Sequence, residues 1–106
     1  MALSYIVSGV FSDNSVSLHR DGFLDLYNVV VVKNFSDDFL DKCVQVSLED
    51  DPSSEYTLVG IETKNGEHFV SLHKDGTSHL TDVHFSAVVS TDMLGKKVSV
   101  IVERCG

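Results

Sequence analysis

Several residue types are scarce in this 106-residue chain, and each shortage limits what the protein can be. Proline occurs once and tryptophan is absent, whereas valine is abundant, and this composition favours β-strands over other structure. No apolar run is long enough to cross a bilayer as a helix, so we expect no membrane partner. The hydrophobic fraction of 42% is close to the globular average and argues against disorder.

Basic residues are also few, with eight Lys and Arg against sixteen Asp and Glu, which gives a net charge of −8. A surface of this sign repels phosphate backbones, so we expect no direct nucleic-acid binding. The acidity serves either solubility alone or recognition of a partner, and composition does not separate these two interpretations.

Cysteine occurs only at positions 43 and 105. A small secreted domain normally carries a denser disulfide framework, so the sequence predicts reduced thiols and a cytoplasmic location. The first eleven residues lack a basic leader and a long apolar run. They are typical of a first strand rather than of a signal peptide.

An internal repeat is the main positive signal in the sequence. The stretch 16–22 returns as 70–76, shifted by 54 positions, and without a gap 16–49 aligns onto 70–103 with 15 of 34 pairs identical. Each half alone is small for an independent core. We therefore expect a single co-folded domain, with repeats at 1–49 and 56–106 joined by a linker at 50–55.

The same structural pattern is predicted in each repeat. Alternating apolar residues indicate strands, and the recurring Asp-Gly predicts a three-residue hairpin loop with a left-handed glycine at 22 and 76. A long strand is expected over 23–33. Short helical turns follow at 36–41, capped by Ser36, and at 90–95, where Gly95 can end the turn.

The predicted fold is all-β, a tandem duplication of a strand-strand-strand-short helix-strand unit. It could form one pseudo-two-fold closed barrel or two packed SH3-like barrels, either of which would remove exposed strand edges. The predicted core is Val16, Leu18, Leu26, Val44, Val46, Leu48, Val70, Leu72, Leu80, Val98, Val100 and Val102.

Histidines suggest chemistry but do not form a convincing site. Four of the five lie in the second repeat, yet their spacing suits no closed metal shell, so we predict no metal and no cofactor. His19 and His73 are each followed two residues later by an aspartate, a pattern that could orient an imidazole as a base. The sequence offers no nucleophile elbow beside them, so we predict a structural role and no enzymatic activity.

Differences between the repeats indicate a candidate interface. Ser15 becomes Phe69 and Ser47 becomes Ile101, both on the face opposite the core stripe, so two small polar positions turn apolar in the second repeat. Apolar groups clustered on an outward face usually mark an interface. An imperfectly symmetric barrel could instead bury them in the other repeat. The first repeat carries its own apolar candidates at Phe23, Leu24 and Tyr27.

Acidic residues cluster in two runs, one within the first repeat and one where that repeat joins the linker. Such charge could imitate a DNA phosphate ladder and block the basic groove of a nucleic-acid enzyme. The candidate acidic surface comprises Asp37, Asp38, Asp41, Glu49, Asp50 and Asp51.

Taken together, these features predict a non-enzymatic, acidic binding module acting through protein contact or self-association. The first alternative is an acidic inhibitor or nucleic-acid mimic. The second is a small-molecule or metal binder at the repeat interface near His19 and His73.

Overall fold

The computed structural model describes residues 4–11, 14–20, 28–33, 36–78, 80 and 82–105. The structure is all-β, as the valine-rich alternation predicts. Its strands are β1 (Ser4–Val10), β2 (Ser15–His19), β3 (Asn28–Val31), β4 (Cys43–Asp50), β5 (Tyr56–Lys64), β6 (Glu67–Lys74), β7 (Val83–Ser86) and β8 (Lys97–Arg104). Within this described part, no helix is long and apolar enough to span a membrane.

The eight strands of the described residues form one antiparallel sheet in the order β3-β2-β1-β4-β8-β5-β6-β7. β4 and β8 lie at its centre and pair along their length, from Val44 opposite Arg104 to Asp50 opposite Val98. The sheet is open in this order, so the predicted barrel closure is not confirmed.

Each central strand also contacts the segment that follows the third strand of the opposite half. Val32, just after β3, makes a parallel bridge to Val100 on β8, and Val88, just after β7, makes one to Ser47 on β4. The bridges include backbone hydrogen bonds from Lys33 to Val100 at 3.0 Å and from Leu48 to Val88 at 3.1 Å. Strand segments of the two halves therefore cross over and contact each other.

The hairpins β1–β2 and β5–β6 carry the same irregularity. Pairing shifts between Val7 and Gly9 in the first and between Leu58 and Gly60 in the second. Such a bulge bends and twists the strand locally. The second hairpin turns at Asn65 and Gly66, both with positive φ, as the Asn-Gly signal predicts.

The ungapped repeat alignment is wrong by one residue at the third strand. In the first half Ser15 pairs with Val31. Its equivalent in the second half, Phe69, pairs with Ser86, which lies 55 rather than 54 positions after Val31. The second half therefore has one extra residue between β6 and β7, compensated by one fewer before the turn that follows β7.

Burial gives the same corrected register. Val30 is 0% exposed and Phe85, 55 positions later, is 3% exposed, whereas His84 faces solvent. The prediction that Leu80 is core is wrong, because its side chain is 97% exposed. Leu26, aligned with Leu80 in the ungapped register, lies outside the described residues.

The other ten predicted core residues are all buried. Eight further residues that the sequence analysis did not select also belong to the core, namely Tyr5, Val7, Val30, Val32, Tyr56, Leu58, Phe85 and Ala87. They come from the first strand of each half, and from the third strand and the residue just after it, where the alternation is shorter or broken by a bulge.

The connection after β6 differs from the predicted three-residue hairpin. Gly76 has φ +81°, so its left-handed conformation is confirmed, and the Thr77 hydroxyl donates to the Lys74 carbonyl at 2.6 Å. β7, however, covers only Val83–Ser86 in the part of the second half that the structure describes, which is shorter than the predicted long strand. Gly22 and residues 23–27 of the first half lie outside the described part of the chain.

Short 3-10 turns occur where predicted, as η1 (Asp37–Phe39) and η2 (Thr91–Met93). The prediction that Ser36 caps η1 is wrong, because its hydroxyl bonds the Asp38 carboxylate and not a backbone amide. Gly95 follows η2 with φ +86° and donates its amide to the Leu58 carbonyl at 2.7 Å.

Cys43 and Cys105 form a disulfide, with their Cα atoms 5.5 Å apart, so the expectation of reduced thiols is wrong. The sequence analysis missed the pair because the two positions are not repeat equivalents, but β4 and β8 run antiparallel and bring the start of one beside the end of the other. Disulfides persist mainly in oxidising compartments, which weighs against the predicted cytoplasmic location.

Candidate binding cleft

A cleft of about 460 Å³ opens on the outward face of β5, β6 and β7. We call it the outer cleft and define it by Gly60, Glu62, Phe69, Ser71 and His84, which line it with their neighbours. The core-facing residues of the same strands alternate with these, so the sheet itself separates cleft from core.

Strand pairing sets the two rows of side chains in the outer cleft. Gly60 on β5 pairs with Ser71 on β6, which in turn pairs with His84 on β7. One step along the strands, Glu62 pairs with Phe69. Gly60 places no side chain on this face, so the backbone is exposed beside the ring of Phe69 and forms the floor of the outer cleft.

Polar contacts hold the rim of the outer cleft. Ser71 Oγ lies 2.8 Å from His84 Nδ1, which fixes the imidazole against the strand. Glu62 and Lys64 form an exposed ion pair with 3.5 Å between Oε1 and Nζ. Exposed pairs of this kind contribute little stability, so both charges remain able to exchange partners.

The equivalent face of the first half is covered by a phenylalanine. A Cβ placed on Gly9 would lie 3.5 Å from Cζ of Phe11 and 3.6 Å from Cβ of Ser17. The ring of Phe11 therefore lies over the backbone that corresponds to the floor of the outer cleft.

In the second half this cover is missing. Glu62 occupies the position equivalent to Phe11, since Tyr5 matches Tyr56 and the bulge glycine Gly9 matches Gly60. A Cβ placed on Gly60 would meet only Ser71 within 4 Å, at 3.5 Å, among described residues other than its chain neighbours. The aromatic residue of this row is instead Phe69, on the neighbouring strand.

The predicted interface residues are not all brought together. Phe69 is half-buried and lines the outer cleft, whereas Ile101 is half-buried on β8 opposite Ser47 and does not line it. Phe69 is on β6, which is separated from β8 by β5, and among the described residues β5 pairs with β8 only at Val98 and Lys97, away from Ile101. Phe23, Leu24 and Tyr27 lie outside the described residues.

The predicted acidic residues occupy opposite ends of β4. Asp37, Asp38 and Asp41 precede the strand, whereas Glu49, Asp50 and Asp51 end or follow it. An eight-residue strand at roughly 3.3 Å per residue separates the two groups by about 23 Å. The side chain of Asp37 is not among those that the structure describes.

Several of these acids already have partners within the chain. The Ser53 hydroxyl donates to Asp51 at 2.7 Å and the Ser99 hydroxyl at 2.6 Å, and these hydrogen bonds hold the pKa of the Asp51 carboxyl well below its usual value. Glu49 accepts a hydrogen bond from Lys33 at 2.9 Å, which raises the pKa of Lys33. The acidic residues at this end of β4 therefore belong to a polar network formed within the chain.

The predicted histidine–aspartate spacing does not produce a pair in the second half. His73 Nδ1 lies 2.5 Å from Asp82, not Asp75, and both side chains of this pair are mostly buried. Asp75 instead forms an ion pair with Lys97. Among the described residues, no three His, Cys, Asp or Glu side chains are grouped closely enough to hold a metal ion.

Sequence reasoning identified Phe69 but missed Gly60, His84 and the role of Phe11. The available signal was the echo of residues 5–10 in 56–61. Extended by one position, it aligns Phe11 with Glu62 and reveals that the aromatic residue has changed strands.

Comparison with known proteins finds no family model, no curated protein and no solved structure that matches this chain.

Proposed function

We propose that this protein is a non-enzymatic, acidic binding module that engages a protein partner, or a second copy of itself, through the outer cleft. The observation that carries the proposal is the difference between the halves. Phe11 covers the first-half surface over Gly9, whereas the matching surface over Gly60 is open.

The composition of the outer cleft supports a protein-contact role. Protein interfaces typically centre on aromatic anchors surrounded by a polar rim. The lining of the outer cleft includes the aromatic Phe69 together with the polar residues Glu62, Lys64 and His84.

We also propose that the chain arose by tandem duplication and closes into a pseudo-two-fold barrel. The repeated bulges at Val7/Gly9 and Leu58/Gly60 support the duplication. The two parallel bridges, one from each half to the central strand of the other, support closure.

Two matched variants test the proposed function. Phe69→Ser restores the serine found at position 15, and Glu62→Phe restores the aromatic residue found at position 11. The exposed Leu94, 53% accessible and not among the residues that line the outer cleft, provides the control Leu94→Ser.

The measurement is self-association by sedimentation, together with affinity capture from the source cell extract quantified by mass spectrometry. Wild type and Leu94→Ser should self-associate or capture a partner protein. Both cleft variants should lose that self-association or that partner. Unchanged assembly and unchanged capture in both cleft variants would overturn the proposal. Contact through the acidic residues would instead persist in both variants and weaken steeply with salt.

A further inference from the structure

We infer that the occupant of the outer cleft is an aromatic side chain flanked by basic residues on a partner protein. This inference rests on the proposed function and specifies the chemistry of its partner.

The first half supplies the template for the ring. Phe11 Cζ and Cε2 lie 3.5 and 3.6 Å from where a Gly9 Cβ would be, which is van der Waals contact with the backbone surface. Gly60 and Ser71 provide the same floor in the second half, where Gly9 and Ser17 stand in the first. A ring from outside can therefore occupy the position that Phe11 fills from within.

The outer cleft has room for such a ring and a wall to pack it against. An enclosed cavity of about 150 Å³ holds a benzene molecule, and the cleft volume is about 460 Å³. Phe69 forms one side, and aromatic pairs gain from offset or edge-to-face packing beyond simple burial. The remaining space accommodates the adjoining peptide.

Charge supports basic residues beside the ring. Glu62 is 67% exposed at the rim, at the position from which Phe11 extends in the first half. Its contact with Lys64 is an exposed 3.5 Å pair that a cation on the partner can replace. The chain's net charge of −8 attracts a basic segment and repels an acidic one.

The test uses three short peptides titrated into ¹⁵N-labelled full-length protein and followed by amide chemical shifts. They are acetyl-Lys-Phe-Arg-amide, acetyl-Lys-Ala-Arg-amide and acetyl-Glu-Phe-Glu-amide. The first should shift the amides of Gly60, Phe69, Ser71 and His84, with a dissociation constant on the order of millimolar. The alanine and acidic peptides should each bind at least about tenfold more weakly, through loss of ring burial and of charge attraction.

Specificity is checked within the same spectra. The amides of Gly9 and Ser17 should stay unshifted, because Phe11 covers that surface, and Glu62→Phe should abolish the shifts at Gly60. Equal binding of the phenylalanine and alanine peptides, or no shift at Gly60, would overturn the inference. Equal binding of the basic and acidic peptides would overturn its charge component.

The outcome also separates this inference from the proposed function. If Phe69→Ser and Glu62→Phe abolish partner contact but none of the peptides binds, the outer cleft is the site and the aromatic-basic occupant is wrong. If neither the variants nor the peptides have an effect, the proposed function fails as well.

Discussion

The hydroxyl of Tyr5 makes two hydrogen bonds with the backbone of Ser86, accepting from its amide at 2.8 Å and donating to its carbonyl at 2.9 Å. Burial raises the pKa of Tyr5, so the hydroxyl keeps the proton that it donates. The matching residue Tyr56 accepts from the Val31 amide at 3.3 Å. Each half thus places a buried tyrosine against the third strand of the other.

Tyr5→Phe should lower the free energy of unfolding by about 1–3 kcal/mol, because the Ser86 amide and carbonyl lose their contact with the phenol in a buried environment. Tyr56→Phe is the matched control, and it should cost less because only one long hydrogen bond is lost. Urea unfolding measures both. Equal effects of the two substitutions would contradict the importance assigned to the Tyr5–Ser86 contact.

The corrected register predicts that alanine substitution at two positions of the second half has very different effects on stability. Leu80→Ala should change stability by no more than about 0.5 kcal/mol, since the side chain is 97% exposed. Phe85→Ala should destabilise by about 3–5 kcal/mol, because that ring is 3% exposed in the core. A large loss in Leu80→Ala would restore the ungapped alignment.

The Cys43–Cys105 disulfide should stabilise the fold by about 2–4 kcal/mol, because it closes a long loop of the unfolded chain. Cys43→Ser/Cys105→Ser should therefore melt at a lower temperature than the oxidised wild type. Addition of reductant should lower the melting temperature of wild type to that of the double variant, whose own melting temperature should not change. Two reactive thiols in the unfolded, unreduced wild type would show that the bond is absent.

The Asp51 network predicts a pH dependence with a definite sign. The pKa of Asp51 is depressed in the folded protein by hydrogen bonds from Ser53 and Ser99. Its contribution to stability is therefore complete above the unfolded pKa of about 4 and is lost as pH falls towards the folded value.

Asp51→Asn should consequently destabilise the protein more at pH 7 than at pH 3, as measured by urea unfolding at both values. Asp50→Asn, at an exposed neighbouring carboxylate, is the control. A difference between wild type and Asp51→Asn that grows as the pH falls would contradict the assigned network.

Much of this fold could be predicted from the sequence where two-residue alternation is uninterrupted. Ten predicted core residues, among them Val44, Val46 and Val98, are buried because they lie on regular strands with one apolar face. Prediction failed at Leu80 because an identical residue in an ungapped alignment concealed an insertion. A one-residue shift moves a side chain to the opposite face of a strand.

The candidate site was predicted only at Phe69. The outer cleft depends on a pairing between strands, Glu62 with Phe69, that corresponds to Phe11 with Ser15 in the first half. Exchange of the aromatic residue between neighbouring strands leaves no local pattern in either strand. The disulfide was missed for a similar reason, since it depends on the β4–β8 pairing and not on the repeat.

The central claim is that the halves share one ring-binding surface, covered in the first by Phe11 and open in the second. The most direct measurement is amide-shift titration of wild type and of Glu62→Phe with acetyl-Lys-Phe-Arg-amide. The account predicts saturable shifts at Gly60 and Ser71 in wild type, loss of these shifts in Glu62→Phe, and no shifts at Gly9 and Ser17 in either protein. If Gly60 does not respond in wild type, or if it still responds in a folded Glu62→Phe variant, the claim is contradicted.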